Sequence, residues 1–125
     1  MSARASEVST THPRVCRADT PIRDVAAQMC EGHVGEVLVV ADNGSVHGII
    51  TDRDIVIRAV AAGHHPDSIP AGEVCSTPVH TTTADAPVSE AADLMRRHDI
   101  RRVPVMDGEQ ATGVLYDHQV ADAAP

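Results

Sequence analysis

The sequence predicts an α+β (α/β) chain made of two β-α-β-β-α units packed sheet to sheet. Three observations carry this. The chain repeats itself at an offset of 66 residues. Each copy holds one amphipathic helix. Each copy then holds two short apolar runs separated by a tight turn.

The repeat is read by setting the stretch from Ala18 above the stretch from Ala84. Ala18 and Asp19 meet Ala84 and Asp85, and Pro21 meets Pro87. Ala26 meets Ala92, Met29 meets Met95, and Val37 meets Val103. The offset falls to 65 after the turn, where Gly48 meets Gly113 and Asp52 meets Asp117. A turn tolerates such a one-residue change. The repeats are placed at residues 8–64 and 73–122, with a linker at 65–72 and a short last helix.

The elements follow in order. Pro21 and Pro87 stand near helix starts, where a missing amide costs nothing. Ile22, Val25, Ala26 and Met29 fall at i, i+3, i+4 and i+7, as do Val88, Ala91, Ala92 and Met95, which draws one apolar helix face. A strand follows from Val37 or Val103. Asn43-Gly44 or Asp107-Gly108 then makes a hairpin turn, and a second strand runs through Val46–Ile50 or Ala111–Leu115. The first unit ends on a helix from Ile55 to Ala62 that stops at Gly63. At ~60 residues neither unit buries enough surface alone.

Composition narrows the function. At 42% hydrophobic the chain can fill a core, but it has one Tyr and no Phe or Trp, so Val, Ile, Leu, Ala and Met must fill it. No apolar run approaches the ~20 residues of a membrane span, and the opening residues show no signal-peptide pattern. A cytoplasmic location, with no membrane partner, is expected. The net charge of −8, with ten Arg and no Lys, argues against a general nucleic-acid binder, as does the lack of aromatic platforms for bases. Cys16, Cys30 and Cys75 have no CxxC spacing and are read as free, partly buried thiols.

Gly48-Ile-Ile-Thr51-Asp-Arg-Asp54 opens two readings. Thr51 with an acidic residue three positions on is a capping box, worth roughly 0.5–2 kcal/mol. The same carboxylate keeps spare acceptor sites beyond the cap, so Thr51 and Asp54 could also hold something. Val103-Pro104-Val105 adds a second signal, because proline in an apolar strand belongs on an edge or beside a gap.

With the repeat, the hairpins, GIITDRD and Arg101-Arg102-Val103-Pro104-Val105 in hand, the chain resembles a pair of CBS domains, the module named after cystathionine β-synthase. The resemblance covers about residues 8–122, nearly the whole chain, so a stand-alone pair is expected. It implies a stand-alone regulatory module with a cleft that takes an adenosine-containing ligand: AMP, ADP, ATP or S-adenosylmethionine. Thr51 and Asp54 match the ribose and phosphate positions. Thr77, Val79, Arg101, Arg102, Val103 and Pro104 complete the ligand site that the resemblance implies. In the second copy Tyr116 and Gln119 replace Thr and Asp, and they would face Glu36 and Leu38, so this second site reads as degraded. One functional site per chain is expected.

No obligatory cofactor and no metal ligands are assigned. The eight His, including His64, His65, His80 and His98, show no HExxH pattern and read as surface residues. No catalytic set stands out, so the protein is expected not to be an enzyme. The resemblance also implies a homodimer, with Ile55–Ala62 in its interface, and a protein partner still to be named. The alternatives are a ligand-free dimerisation or interaction scaffold, in which TDRD is only a cap, and a His/Cys metal-binding stress protein.

Overall fold

A computed structural model describes residues 3–123. In chain order the elements are α1 (Ala5–Val8), β1 (Thr10–Thr11), β2 (Val15–Cys16), α2 (Ile22–Gly32), β3 (Glu36–Val40), β4 (Val46–Thr51), α3 (Asp52–Asp54), α4 (Ala71–Val74), β5 (Thr82–Thr83), α5 (Val88–His98), β6 (Arg102–Asp107), β7 (Gln110–Tyr116) and α6 (Asp117–Ala123). After α3 the chain continues as a π-helical stretch, Ile55–Val60. The fold is α+β, with two small sheets.

Contacts divide the chain into two compact units: residues 14–79, and residues 3–13 with 80–123. The first holds the sheet β2-β3-β4 and the second the sheet β1-β7-β6-β5. The pairing repeats. β2 lies parallel to β3, with Cys16 opposite Val39, and β5 lies parallel to β6, with Thr82 opposite Val105. Each hairpin carries a bulge at the same place, Val39/Val40 and Val105/Met106. Gly44 and Gly108 take positive φ values of 88° and 62° in the two turns, which glycine adopts without strain.

The long helices bury most of the predicted stripe. Ile22, Val25 and Met29 are buried in α2, and Val88, Ala91 and Met95 in α5, but at the edge of the stripe Ala26 is exposed and its counterpart Ala92 is half-buried. Both helices end on a left-handed residue, His33 and Asp99, each at φ 52°. Asp and His are among the non-glycine residues that best tolerate that conformation. In one unit Ile22 and Val25 pack with Val37, Val39 and Ile50. In the other Val88 and Ala91 pack with Val103, Val105 and Leu115.

The units do not follow the repeats from end to end. The opening segment of the chain, through β1, pairs antiparallel with β7, placing Thr10 opposite Val114. At the equivalent place Ser76 bridges Ile49. Residues 65–72, expected as a linker, instead pack on the start of α2. The amides of Ile22 and Arg23 donate to the carbonyls of Ile69 and Pro66 at 3.0 and 3.1 Å, Arg23 pairs with Asp67, and Ile69 and Ala71 are buried.

These close approaches explain Gly48 and Gly113. A Cβ on Gly113 would stand 2.5 Å from the Thr10 carbonyl oxygen, and one on Gly48 would stand 2.7 Å from Cys75 Sγ. Gly113→Ala meets main chain rather than a yielding side chain. It is expected to cost about 1–3 kcal/mol of stability. A urea titration with an unchanged midpoint would contradict this account.

Candidate functional site

The end of β4 builds the site. Thr51 is extended, at φ −104° and ψ 163°, and its hydroxyl accepts from the amide of Asp54 at 3.1 Å. The amide of Thr51 donates back to Asp54 Oδ2 at 2.9 Å. The predicted capping box therefore forms in full. The helix it starts soon widens: the amide of Ala61 reaches back five residues to Val56, at 2.8 Å.

Two further side chains converge on Asp54. Ser76 donates its hydroxyl toward Oδ1 and Oδ2 at 3.3 and 3.4 Å. Arg58 Nε lies 3.9 Å from Oδ1, and its Nη1 donates to the carbonyl of Cys75 at 3.1 Å. The Asp54 side chain keeps 15% of its surface exposed. A carboxylate has about four acceptor positions. One amide and one shared hydroxyl leave some of them open to an incoming donor.

Ser76 and Arg58 were not singled out in the sequence. The repeat held the signal for Ser76, because an offset of 66 aligns it with Thr10, which contacts the equivalent residue in the other unit. Thr77 and Val79 follow directly, Thr77 exposed and Val79 half-buried, in the same unit as Asp54.

The other unit contains the same frame with different chemistry. The amide of Tyr116 donates to Gln119 Oε1 at 3.0 Å, so Gln119 caps as Asp54 does. Gln119 Nε2 donates to Thr10 Oγ1 at 3.0 Å, the reverse of the Ser76–Asp54 polarity. Ala123 stands where Arg58 does in the repeat. The rings of Tyr116 and His118 stack at 5.6 Å. This frame offers a neutral amide where the first offers a carboxylate. Glu36 and Leu38, assigned by sequence to the degraded site, are buried on β3, where Glu36 pairs in register with Thr51.

Arg101, Arg102, Val103 and Pro104 belong to this second unit. Arg101 is exposed, and its carbonyl accepts from the amide of Asp117 at 2.9 Å. Arg102 is half-buried and opens β6. Val103 is fully buried in the core, so its side chain serves packing. Pro104 lies opposite Val114 on β7, while on the other side β5 covers only Val105 and Met106. Its missing amide therefore falls beside a gap in the ladder, as the sequence suggested.

Two of the three thiols, Cys16 and Cys75, are placed for packing, whereas Cys30, expected to be partly buried, is exposed. Burial, and then the nearby Cys75, pushes the Cys16 thiol up to about 11, and burial raises Cys75 as well. Since the thiolate is the reactive form, one thiol should react quickly with a disulfide reagent at pH 8 and the other two only on unfolding. Three fast thiols in a native titration would contradict the burial. His80 and His98 stack at 3.6 Å; burial, His80 and Arg97 lower the proton affinity of His98. Among the described residues no three His, Cys, Asp or Glu side chains converge on one point. None of the described helices is long and apolar enough to cross a membrane.

Two β-α-β-β-α copies, each with a capped turn after its hairpin, define a tandem-repeat α+β module. The chain belongs to the CBS domain family, which it matches at residues 5–60 and 71–125. Hypoxic response protein 1 of Mycobacterium tuberculosis is 32% identical over 111 residues, covering 88% of this chain and 78% of that protein. A crystal structure of Hypoxic Response Protein I with two coordinated zinc ions matches at a TM-score of 0.88 and 28% identity, over 98% of this chain and 100% of that one. A CBS domain protein from Pyrobaculum aerophilum complexed with AMP matches at 0.83 and 31%, over 94% and 89%.

Proposed function

We propose that this chain is a regulatory module that binds one adenosine-containing ligand and performs no catalysis. The observation that carries the reading is the contrast between its two caps. Gln119 shows that the cap works with a neutral amide. Asp54 keeps a charge, partly exposed and braced by Ser76 and Arg58, which a cap alone does not need. A carboxylate held this way suits the hydroxyls of a ribose. The AMP complex of the Pyrobaculum aerophilum relative supports the class of ligand.

In this reading Thr51 and Asp54 take the ribose, and Thr77 and Val79, which follow Ser76 in the chain, belong to the same unit. Arg101 and Arg102 supply cations for phosphate, a role that comes from the family resemblance; Pro104, expected to face the ligand, is fully buried like Val103 and serves packing. The Gln119 frame holds no nucleotide. Binding shifts the protein between two states and so changes the surface offered to a partner. The reading includes a cytoplasmic location and a homodimer through the exposed residues Val56, Ile57 and Val60. A role in stress response is carried only by the name of the mycobacterial relative.

A thermal-shift screen with AMP, ADP, ATP, S-adenosylmethionine and Zn²⁺ tests the proposal. A ligand at ~100 times its dissociation constant adds about 2.7 kcal/mol, enough to raise the midpoint by several degrees. A rise with an adenosine compound is expected. A rise with Zn²⁺ alone would favour the metal-binding alternative. No rise with any of them would leave a scaffold.

A further inference from the structure

The geometry points to Ser76 as a built-in competitor for Asp54, one that sets how strongly the site binds a vicinal diol. This rests on the reading that Asp54 takes a ribose. The Ser76 hydroxyl stands almost equally far from the two carboxylate oxygens, at 3.3 and 3.4 Å. A single donor there occupies the symmetric approach to the carboxylate. A vicinal diol needs that same approach to place one hydroxyl on each oxygen.

Part of the carboxylate's remaining acceptor capacity is already engaged. Oδ2 already accepts from the amide of Thr51 at 2.9 Å, and Arg58 stands beside Oδ1. Ser76 cannot easily withdraw its main chain. Its amide donates to the carbonyl of Ile49 at 2.8 Å, and its carbonyl accepts from the amide of Ile49 at 3.2 Å. Arg58 also ties down the carbonyl of Cys75 just before it. The hydroxyl therefore yields by rotating about its own χ1. Both of its contacts exceed the usual length of an O–H···O bond, so the place is held weakly and a diol can take it.

The other unit lacks this competition. There the side-chain amide of Gln119 donates to Thr10, and no acceptor pair is presented. The competitor is specific to the frame that keeps its carboxylate.

Calorimetric titration of Ser76→Ala tests the idea, with AMP and 2′-deoxy-AMP as probes. Removing one weak competing hydrogen bond should tighten AMP about 2- to 10-fold. The deoxynucleotide, with one hydroxyl at that edge, should gain less. Ser76→Thr carries the residue found at Thr10 and keeps the hydroxyl, so it should retain the wild-type constant. Ser76→Cys, with a weaker donor, gives a second variant of similar size and should also tighten. AMP binding that is unchanged or weakened in the folded Ala and Cys variants overturns the competitor role and leaves the nucleotide reading intact. Failure of wild type and variants alike to bind AMP overturns both.

Discussion

Asp54→Asn is expected to abolish nucleotide binding while leaving the protein folded. The asparagine Oδ1 can still accept from the amide of Thr51, as Gln119 Oε1 accepts from Tyr116 in the other unit. The amide nitrogen can donate to Ser76, as Gln119 Nε2 donates to Thr10. What disappears is the charge and one acceptor. Hydrogen bonds to a charged group contribute about 1.5–3 kcal/mol each, so losing one to a ribose and the charge behind the other should weaken binding about 100-fold. Asp54→Ala should lose binding too and, in addition, about 0.5–2 kcal/mol of stability with the cap. Calorimetry and a urea titration of both variants separate the two roles of this residue. An Asn variant that binds as wild type would return Asp54 to a helix cap.

A second large effect is expected at the assembly. Val56, Ile57 and Val60 are 59%, 48% and 60% exposed, an unusual load of large apolar side chains on one short stretch. Val56 and Val60 stand four residues apart, and Val56 and Ile57 line a shallow hollow of about 460 Å³ with Asp52 and Arg53. If two copies meet here about a two-fold axis, each substitution enters the interface twice. Val56→Asp combined with Val60→Asp should then convert a dimer into single chains of 13.2 kDa, read by light scattering on a sizing column. Both positions face solvent in the single chain, so the fold should survive. A wild-type protein that already elutes as one chain would end the dimer proposal.

Much of this was legible because it is encoded locally. Asn43-Gly44 and Asp107-Gly108 announce hairpins because glycine reaches positive φ cheaply. Met29 and Met95 fall in register with the buried stripe because the helical period fixes which side chains share a face. The Thr51–Asp54 box was readable because its partners lie three residues apart and the main chain brings them together. Ala26 deviates because it sits at the margin of the stripe, where spacing alone does not decide burial.

The doubled α+β plan, the hairpins and the charge difference between Asp54 and Gln119 can be read along the chain. Which segment closes each unit, and what braces the carboxylate, follow from contacts made across the fold. Ser76 lies 22 residues from Asp54, and Gln119 lies 109 from Thr10. No periodicity links residues so far apart. They meet because Gly48 and Gly113, lacking side chains, let an opening segment lie against the hairpin, and because pairing two strand edges satisfies main-chain groups that would otherwise go without partners.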